Sequence, residues 1–103
     1  MAIQSNNLRA LEHDWYATRS GLDGNAPLGD HKRAYYDSKG FGGNTKPLGQ
    51  CEEEWLLSVG GRAAEGRYDL WSAACEAQSV TVGKSVDECK FNFFSTVASG
   101  TNP

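Results

Sequence analysis

The chain has 103 residues, of which 39% are hydrophobic, 11% aromatic and 22% charged, with a formal net charge of -3. That length fits one domain spanning 1–103, and the composition excludes a disordered chain. The acidic balance excludes a dedicated nucleic-acid binder, whose affinity comes from neutralising phosphate with surplus Lys and Arg; the short basic run His31-Lys32-Arg33 does not offset it.

No apolar run approaches the roughly 20 residues needed to cross a bilayer. The opening Met-Ala-Ile-Gln-Ser-Asn-Asn has neither a charged n-region nor an apolar h-region. The expectation is a soluble chain made in a cytoplasm, with no membrane partner.

The elements follow a repeat, the feature to be sought first because missing it misreads the fold. Pro27-Leu28-Gly29 recurs 20 residues later as Pro47-Leu48-Gly49. Counting each Leu as position 0, an aromatic stands at +7 in both units, Tyr35 and Trp55, followed by a Ser and a Gly. Positions 0, +3, +7 and +11 share one face of an α-helix.

Taken along the chain, the first unit, about 7–24, places Leu8, Leu11 and Trp15 on that face and predicts a helix over 7–19, stopped near Gly21. The second, about 25–44, carries Leu28, His31 and Tyr35, with a helix over 28–39. Pro27 suits its first turn, Asn25 is the expected N-cap and Gly40 its stop. Gly40-Phe41-Gly42-Gly43-Asn44 reads as a connector. The third, about 45–61, carries Leu48, Cys51, Trp55 and Val59, with a helix over 48–59, Thr45 as the expected cap, Pro47 in the first turn and Gly60 as the stop. The fourth, about 64–83, is irregular: Ala64, Arg67, Trp71 and Cys75, with a helix over 66–77, then a possible short extended run at 78–83. The fifth, about 84–100, carries Val86, Cys89, Phe93 and Val97, with a helix over 85–98. It opens on a capping box, Ser85-Val86-Asp87-Glu88, and stops at Gly100. The predicted fold is all-α, a small array or bundle of about five short helices joined by Gly-rich turns. Helices of about 12 residues do not persist alone in water, so they must pack together. The predicted core is Leu8, Leu11, Trp15, Leu48, Trp55, Trp71, Val86 and Phe93.

Chemistry-bearing patterns are sparse. Cys51, Cys75 and Cys89 fall on apolar stripes and read as small buried thiols. Their odd number argues against a disulfide framework, and Cys51 with Cys89 is the pair the stripes could bring face to face. No Cys-x-x-Cys or His-x-x-x-His spacing offers a metal site. A Cys–His nucleophile would have to draw on His13 or His31. The carboxylates of Glu52-Glu53-Glu54 spread around their helix and are expected to serve its positive N-terminal end. The glycines at 40, 42 and 43 lack the phosphate-loop pattern. No catalytic residue, cofactor or metal is therefore expected.

The adjacent aromatics Trp15-Tyr16, Tyr35-Tyr36 and Phe93-Phe94 put two rings about 100° apart on each helix. One ring can fill the core; the second, Tyr16, Tyr36 or Phe94, is the candidate protein-interface residue, since such rings are enriched in interface cores.

The unit from Leu28 through Asp30, the pair Tyr35-Tyr36 and the turn at Gly40, and its counterpart from Leu8 to Tyr16, resemble short helical repeats of tailed-bacteriophage virion structural proteins, in which a Leu-x-Asp start precedes an aromatic pair and a glycine turn. The resemblance covers 7–61 and, more loosely, 85–100. The third unit departs from it, with Leu56 in place of the second aromatic and Cys51 in place of Leu or Lys. The resemblance implies a non-enzymatic accessory role on a virion, in capsid decoration, as a minor capsid protein or at the tail. The implied partners are the major capsid protein, or another virion protein, and copies of itself. Two other readings stand beside it: a cell-surface or cell-wall binding module using exposed aromatics against sugar rings, and a small helical regulator of a host protein.

Overall fold

The computed structural model describes residues 5–97. Five helices follow in order: α1 (Ser5–Ser20), α2 (Leu28–Ser38), α3 (Leu48–Gly60), α4 (Gly66–Ala77) and α5 (Val86–Val97). The fold is all-α, and no strand occurs among the described residues; 78–83 is a turn and an irregular run. The Val97 side chain and the stop read at Gly100 lie outside the described residues.

Each helix begins and ends close to where the repeat predicts, and local chemistry gives the reasons. Pro27 and Pro47 occupy the N-cap position itself, one residue before the first turn. The Pro27 carbonyl accepts from the backbone N–H groups of Asp30 and His31, and the Pro47 carbonyl from those of Gln50 and Cys51. The caps expected at Asn25 and Thr45 are therefore corrected. The Asn25 N–H is held by Asp23 Oδ1 at 2.8 Å, and the Thr45 hydroxyl donates to the Gly42 carbonyl, so both residues shape connectors. At α5 the Ser85 hydroxyl accepts from the Glu88 N–H as a capping box requires, while the Glu88 carboxylate reaches one residue further back, to the Lys84 N–H. Gly21 and Gly40 take the left-handed conformation at the predicted stops, but α3 runs through Gly60 and turns at Gly61. Gly60 serves close packing: a Cβ there would come 2.8 Å from the Ala73 Cβ, so its absence lets α3 and α4 approach.

The helices form a closed ring. Successive helices pack against each other, and α5 packs back against α1. The +7 aromatics meet around the ring's axis, each ring touching the next. Centroid separations are 5.3 Å for Trp15–Tyr35, 5.8 Å for Tyr35–Trp55, 6.1 Å for Trp55–Trp71, 5.6 Å for Trp71–Phe93 and 6.0 Å for Phe93–Trp15. The +8 residues, Tyr16, Tyr36, Leu56, Ser72 and Phe94, are buried as well. Like positions of successive repeats therefore meet, which is what a repeat produces when it closes on itself instead of extending as an open solenoid. Of the predicted core, Leu8, Trp15, Trp55, Trp71 and Phe93 are buried; Leu11, Leu48 and Val86 are half-buried and pack against the outside of the cluster.

The connector at 39–47 is seated tightly. A Cβ on Gly43 would overlap the Arg33 carbonyl, and the Cys51 thiol donates to the Phe41 carbonyl at 3.2 Å. Gly43→Ala is expected to lower stability by about 1–3 kcal/mol. The check is urea unfolding, with a lower midpoint and an unchanged slope.

Candidate functional site

The largest polar feature encircles the ring axis beside the aromatic layer. Position +4 of the first three repeats and of the fifth is charged, with alternating sign: Glu12, Lys32, Glu52 and Lys90. In the irregular fourth unit Arg67, at +3, takes the place. Lys32 Nζ lies 3.3 Å from Glu12 and 3.4 Å from Glu52; Lys90 lies 3.4 Å from Glu12, and Arg67 3.6 Å from Glu52. One chain of ion pairs thus links all five helices, in the order α4, α3, α2, α1, α5. Glu12 and Glu52 are buried, and the side chains of Lys32 and Lys90 are only 16% and 13% exposed. Lys32 also stands 5.4 Å from the centroid of Tyr16, and Lys90 5.9 Å from that of Trp71, so the lysines bridge the charged and aromatic layers.

This arrangement bears on the basic run and corrects the reading of the three glutamates. Lys32 is consumed by two carboxylates and His31 is fully buried, so no basic patch forms around 31–33. The three consecutive glutamates do not act together at the start of α3: Glu52 enters the ion chain, Glu53 is exposed, and Glu54 accepts from Lys46 at 2.7 Å and from Gln50. Those two hydrogen bonds hold the Glu54 carboxyl below the usual carboxylate range.

The interface residues read from the aromatic pairs are also corrected. Tyr16, Tyr36 and Phe94 are each 0% exposed, so none can meet a partner while the chain is folded. Instead the Tyr16 and Tyr36 hydroxyls bond each other at 2.6 Å inside the protein, again like position to like position. Burial pushes the Tyr16 phenol well above its ordinary range, helped by Tyr36 and then by Glu52 and Glu12. Burial likewise raises Tyr36, against the opposing effect of its hydrogen bond with Tyr16. A group whose folded pKa exceeds its unfolded value of about 10 stabilises the fold fully below that pH, and the contribution is lost as pH rises above it. Ultraviolet tyrosinate absorbance and helical circular dichroism should therefore change together above about pH 10. Full tyrosine titration with helix content intact would contradict the buried pair.

A nucleophile is the other chemistry to test against the geometry. The Ser20 hydroxyl lies 2.6 Å from His31 Nδ1 and also receives the Leu22 N–H at 3.1 Å, with the Ala17 carbonyl 3.5 Å away. His31 Nε2 is buried without a partner. The satisfied tautomer places the proton on Nδ1, donating to Ser20, because an orphaned acceptor is less costly than an orphaned N–H. In that tautomer the Ser20 hydroxyl is turned toward Ala17, and the contact ties the end of α1 to α2. His13 Nε2 faces the Ala26 carbonyl at 3.0 Å, with its ring edge-on to His31.

All three thiols are buried and reduced, and each donates to a backbone carbonyl: Cys51 to Phe41, Cys75 to Cys89 and Cys89 to Gly83. No thiol is held against an imidazole in these contacts. Cys51 faces the 41–46 connector, so the thiol neighbours are Cys75 and Cys89, a correction of the expected Cys51–Cys89 pairing.

Among the described residues no group of three or more His, Cys, Asp or Glu could hold a metal ion, and no helix is long and apolar enough to cross a membrane. An open hollow of about 210 Å³ lies beside Glu12, lined by Leu8, Arg9, Glu12, Leu28 and Asp87. Among the described residues the large apolar side chains on the outside are Leu22, Leu57 and Tyr68. Protein-family models, curated proteins and solved structures offer no match to this chain.

Proposed function

We propose that this protein is a non-enzymatic accessory component of a tailed-phage virion, a capsid decoration or minor capsid protein that binds the major capsid protein. The reading rests on the resemblance of the repeats to phage virion repeats. The observation that carries it is the closed ring: the +7 aromatics of all five units, and the charged +4 positions of four, are spent on one internal axis. A chain held together around an internal axis presents a largely preformed outer surface, suited to fixed contacts with little ordering cost on binding. Its mechanism is binding energy, holding neighbouring capsid subunits together.

With Tyr16, Tyr36 and Phe94 internal, the contact surface must draw on Leu22, Leu57 and Tyr68 and the charges around them. A cell-wall module stacking sugars on exposed rings is less favoured, because Tyr68 is the large exposed aromatic among the described residues. The test is quantitative mass spectrometry of intact particles after density purification. The expected result is this chain at a fixed ratio to the major capsid protein, retained through a salt wash. Recovery with bacterial envelopes, or absence from particles, would refute the virion reading. Leu57→Asp should reduce occupancy while leaving the isolated chain folded; Tyr68 also ties α4 to the 80–84 run by donating its hydroxyl to the Gly83 carbonyl at 2.7 Å, so Leu57 is the cleaner test.

A further inference from the structure

Ring closure depends on α5, the last described helix, which is held between α4 and α1. The two thiols that neighbour each other lie at one of those seams: Cys75 on α4 and Cys89 on α5. Both are 0% exposed. Cys75 Sγ reaches the Cys89 backbone carbonyl at 3.4 Å, and Cys89 Sγ has Ser72 at 4.0 Å on its other side. No cation faces Cys75 to stabilise a thiolate, and burial, with Cys89 beside it, pushes its thiol up to about 12. The third thiol, Cys51, is directed into the 41–46 connector on α3.

We propose that Cys75 and Cys89 are a disulfide-forming pair which, once oxidised by a small-molecule disulfide, ties α5 to α4 and locks the ring. The proposal rests on the seam geometry and is independent of the virion reading. The reaction is two thiol–disulfide exchanges. One cysteine thiolate attacks a sulfur of the small disulfide, forming a mixed disulfide and releasing one small thiol. The second cysteine then attacks the protein sulfur of that mixed disulfide, giving the Cys75–Cys89 bond and a second small thiol. The two protein thiols lose two protons and two electrons, and the small disulfide gains them. Attack requires a thiolate with access. The closed ring denies both, so exchange proceeds when α5 opens, a local event that needs less than global unfolding. Re-docking of α5 then presents Cys89 to Cys75 and not to Cys51. The bond closes a loop of about 15 residues, a size for which cross-linking limits the unfolded chain substantially.

The experiment incubates the purified chain with oxidised glutathione over a series of sub-denaturing urea concentrations, quenches with an alkylating reagent, and maps disulfides by mass spectrometry before and after reduction. The expected product is a single internal Cys75–Cys89 bond. It should form slowly in buffer and faster as urea rises, with Cys51 alkylated. The cross-linked chain, returned to buffer, should melt about 10 °C higher than the reduced one. Cys51→Ala should give the same product and shift, and Cys75→Ala or Cys89→Ala neither. Mapping on the unmutated chain keeps the test valid should a variant fail to fold. Bonds to Cys51, glutathione left on Cys75 or Cys89 without closure, no oxidation at any sub-denaturing urea, or a cross-linked chain that melts lower would each overturn the proposal.

Discussion

Trp55→Ala is expected to remove a large share of the protein's stability. Trp55 is 4% exposed and touches six other rings: Trp15, Tyr16, Tyr35, Tyr36, Trp71 and Phe93. It lies in α3 and its neighbours lie in all four other helices, so no single helix can shift to fill the space it leaves. Truncating a buried Trp costs about 3–5 kcal/mol, set against a total stability of about 5–15 kcal/mol for a natural domain. Urea unfolding followed by circular dichroism should show the midpoint falling by a large fraction. Leu57→Ala, two residues along the same helix but 42% exposed, should change stability by about 0.5 kcal/mol or less. If the two variants melt alike, the aromatic layer is not what holds the helices together.

Glu12→Ala is expected to be the second most damaging change. This carboxylate accepts from Lys32 on α2 and Lys90 on α5, and its side chain is 8% exposed. Removing it leaves Lys90 with no carboxylate partner in the ion chain, and Lys32 with Glu52 alone. Breaking a buried ion pair from one side costs more than the pair contributes, because a desolvated charge remains. With both lysines slightly exposed, about 2–4 kcal/mol is expected, weakened little by salt. The contrast is Arg62→Ala, which removes exposed, solvent-screened pairs with Asp69 and Glu76 and should leave the unfolding midpoint nearly unchanged. A double-mutant cycle between Glu12 and Lys90 measures the coupling across the α1–α5 seam. A coupling near zero would show that the ion chain does not contribute to closure.

The helices and their limits were legible because most units carry their own punctuation: Pro at the entry and Gly at the exit of the second and third, Gly21 after the first and the capping box before the fifth, each with one apolar stripe. The ring was not. A stripe at 0, +3, +7 and +11 gives a helix one inner edge, and on that view a short helix has room to bury only one ring of an adjacent pair. Tyr16, Tyr36 and Phe94 were placed at an interface for that reason. In a closed ring each helix has a neighbour on both sides and the axis in front, so the buried sector is wide enough for +7 and +8 together. The charged +4 position sits between 0 and +8 on the same sector. Nothing within a single helix marks Glu12 or Lys32 as paired, because their partners lie one repeat away in sequence. The 20-residue spacing of Glu12, Lys32 and Glu52, with alternating sign, was the available signal. Cys75 and Cys89 illustrate the same limit: the stripe shows that both are internal, and only the order of helices around the ring shows that they are neighbours.

The central claim, that five repeats close on themselves within one chain, predicts contact between the first helix and the last. Trp15 and Phe93 have centroids 6.0 Å apart, and Lys90 lies 3.4 Å from Glu12 across the same seam. Nuclear Overhauser spectroscopy on uniformly labelled protein should show cross-peaks between the Trp15 indole and the Phe93 ring. In a sample mixed from labelled and unlabelled chains, isotope filtering should show those cross-peaks to be intramolecular. Their absence, or their appearance only between chains, would mean an open or exchanged array and would contradict the closed ring.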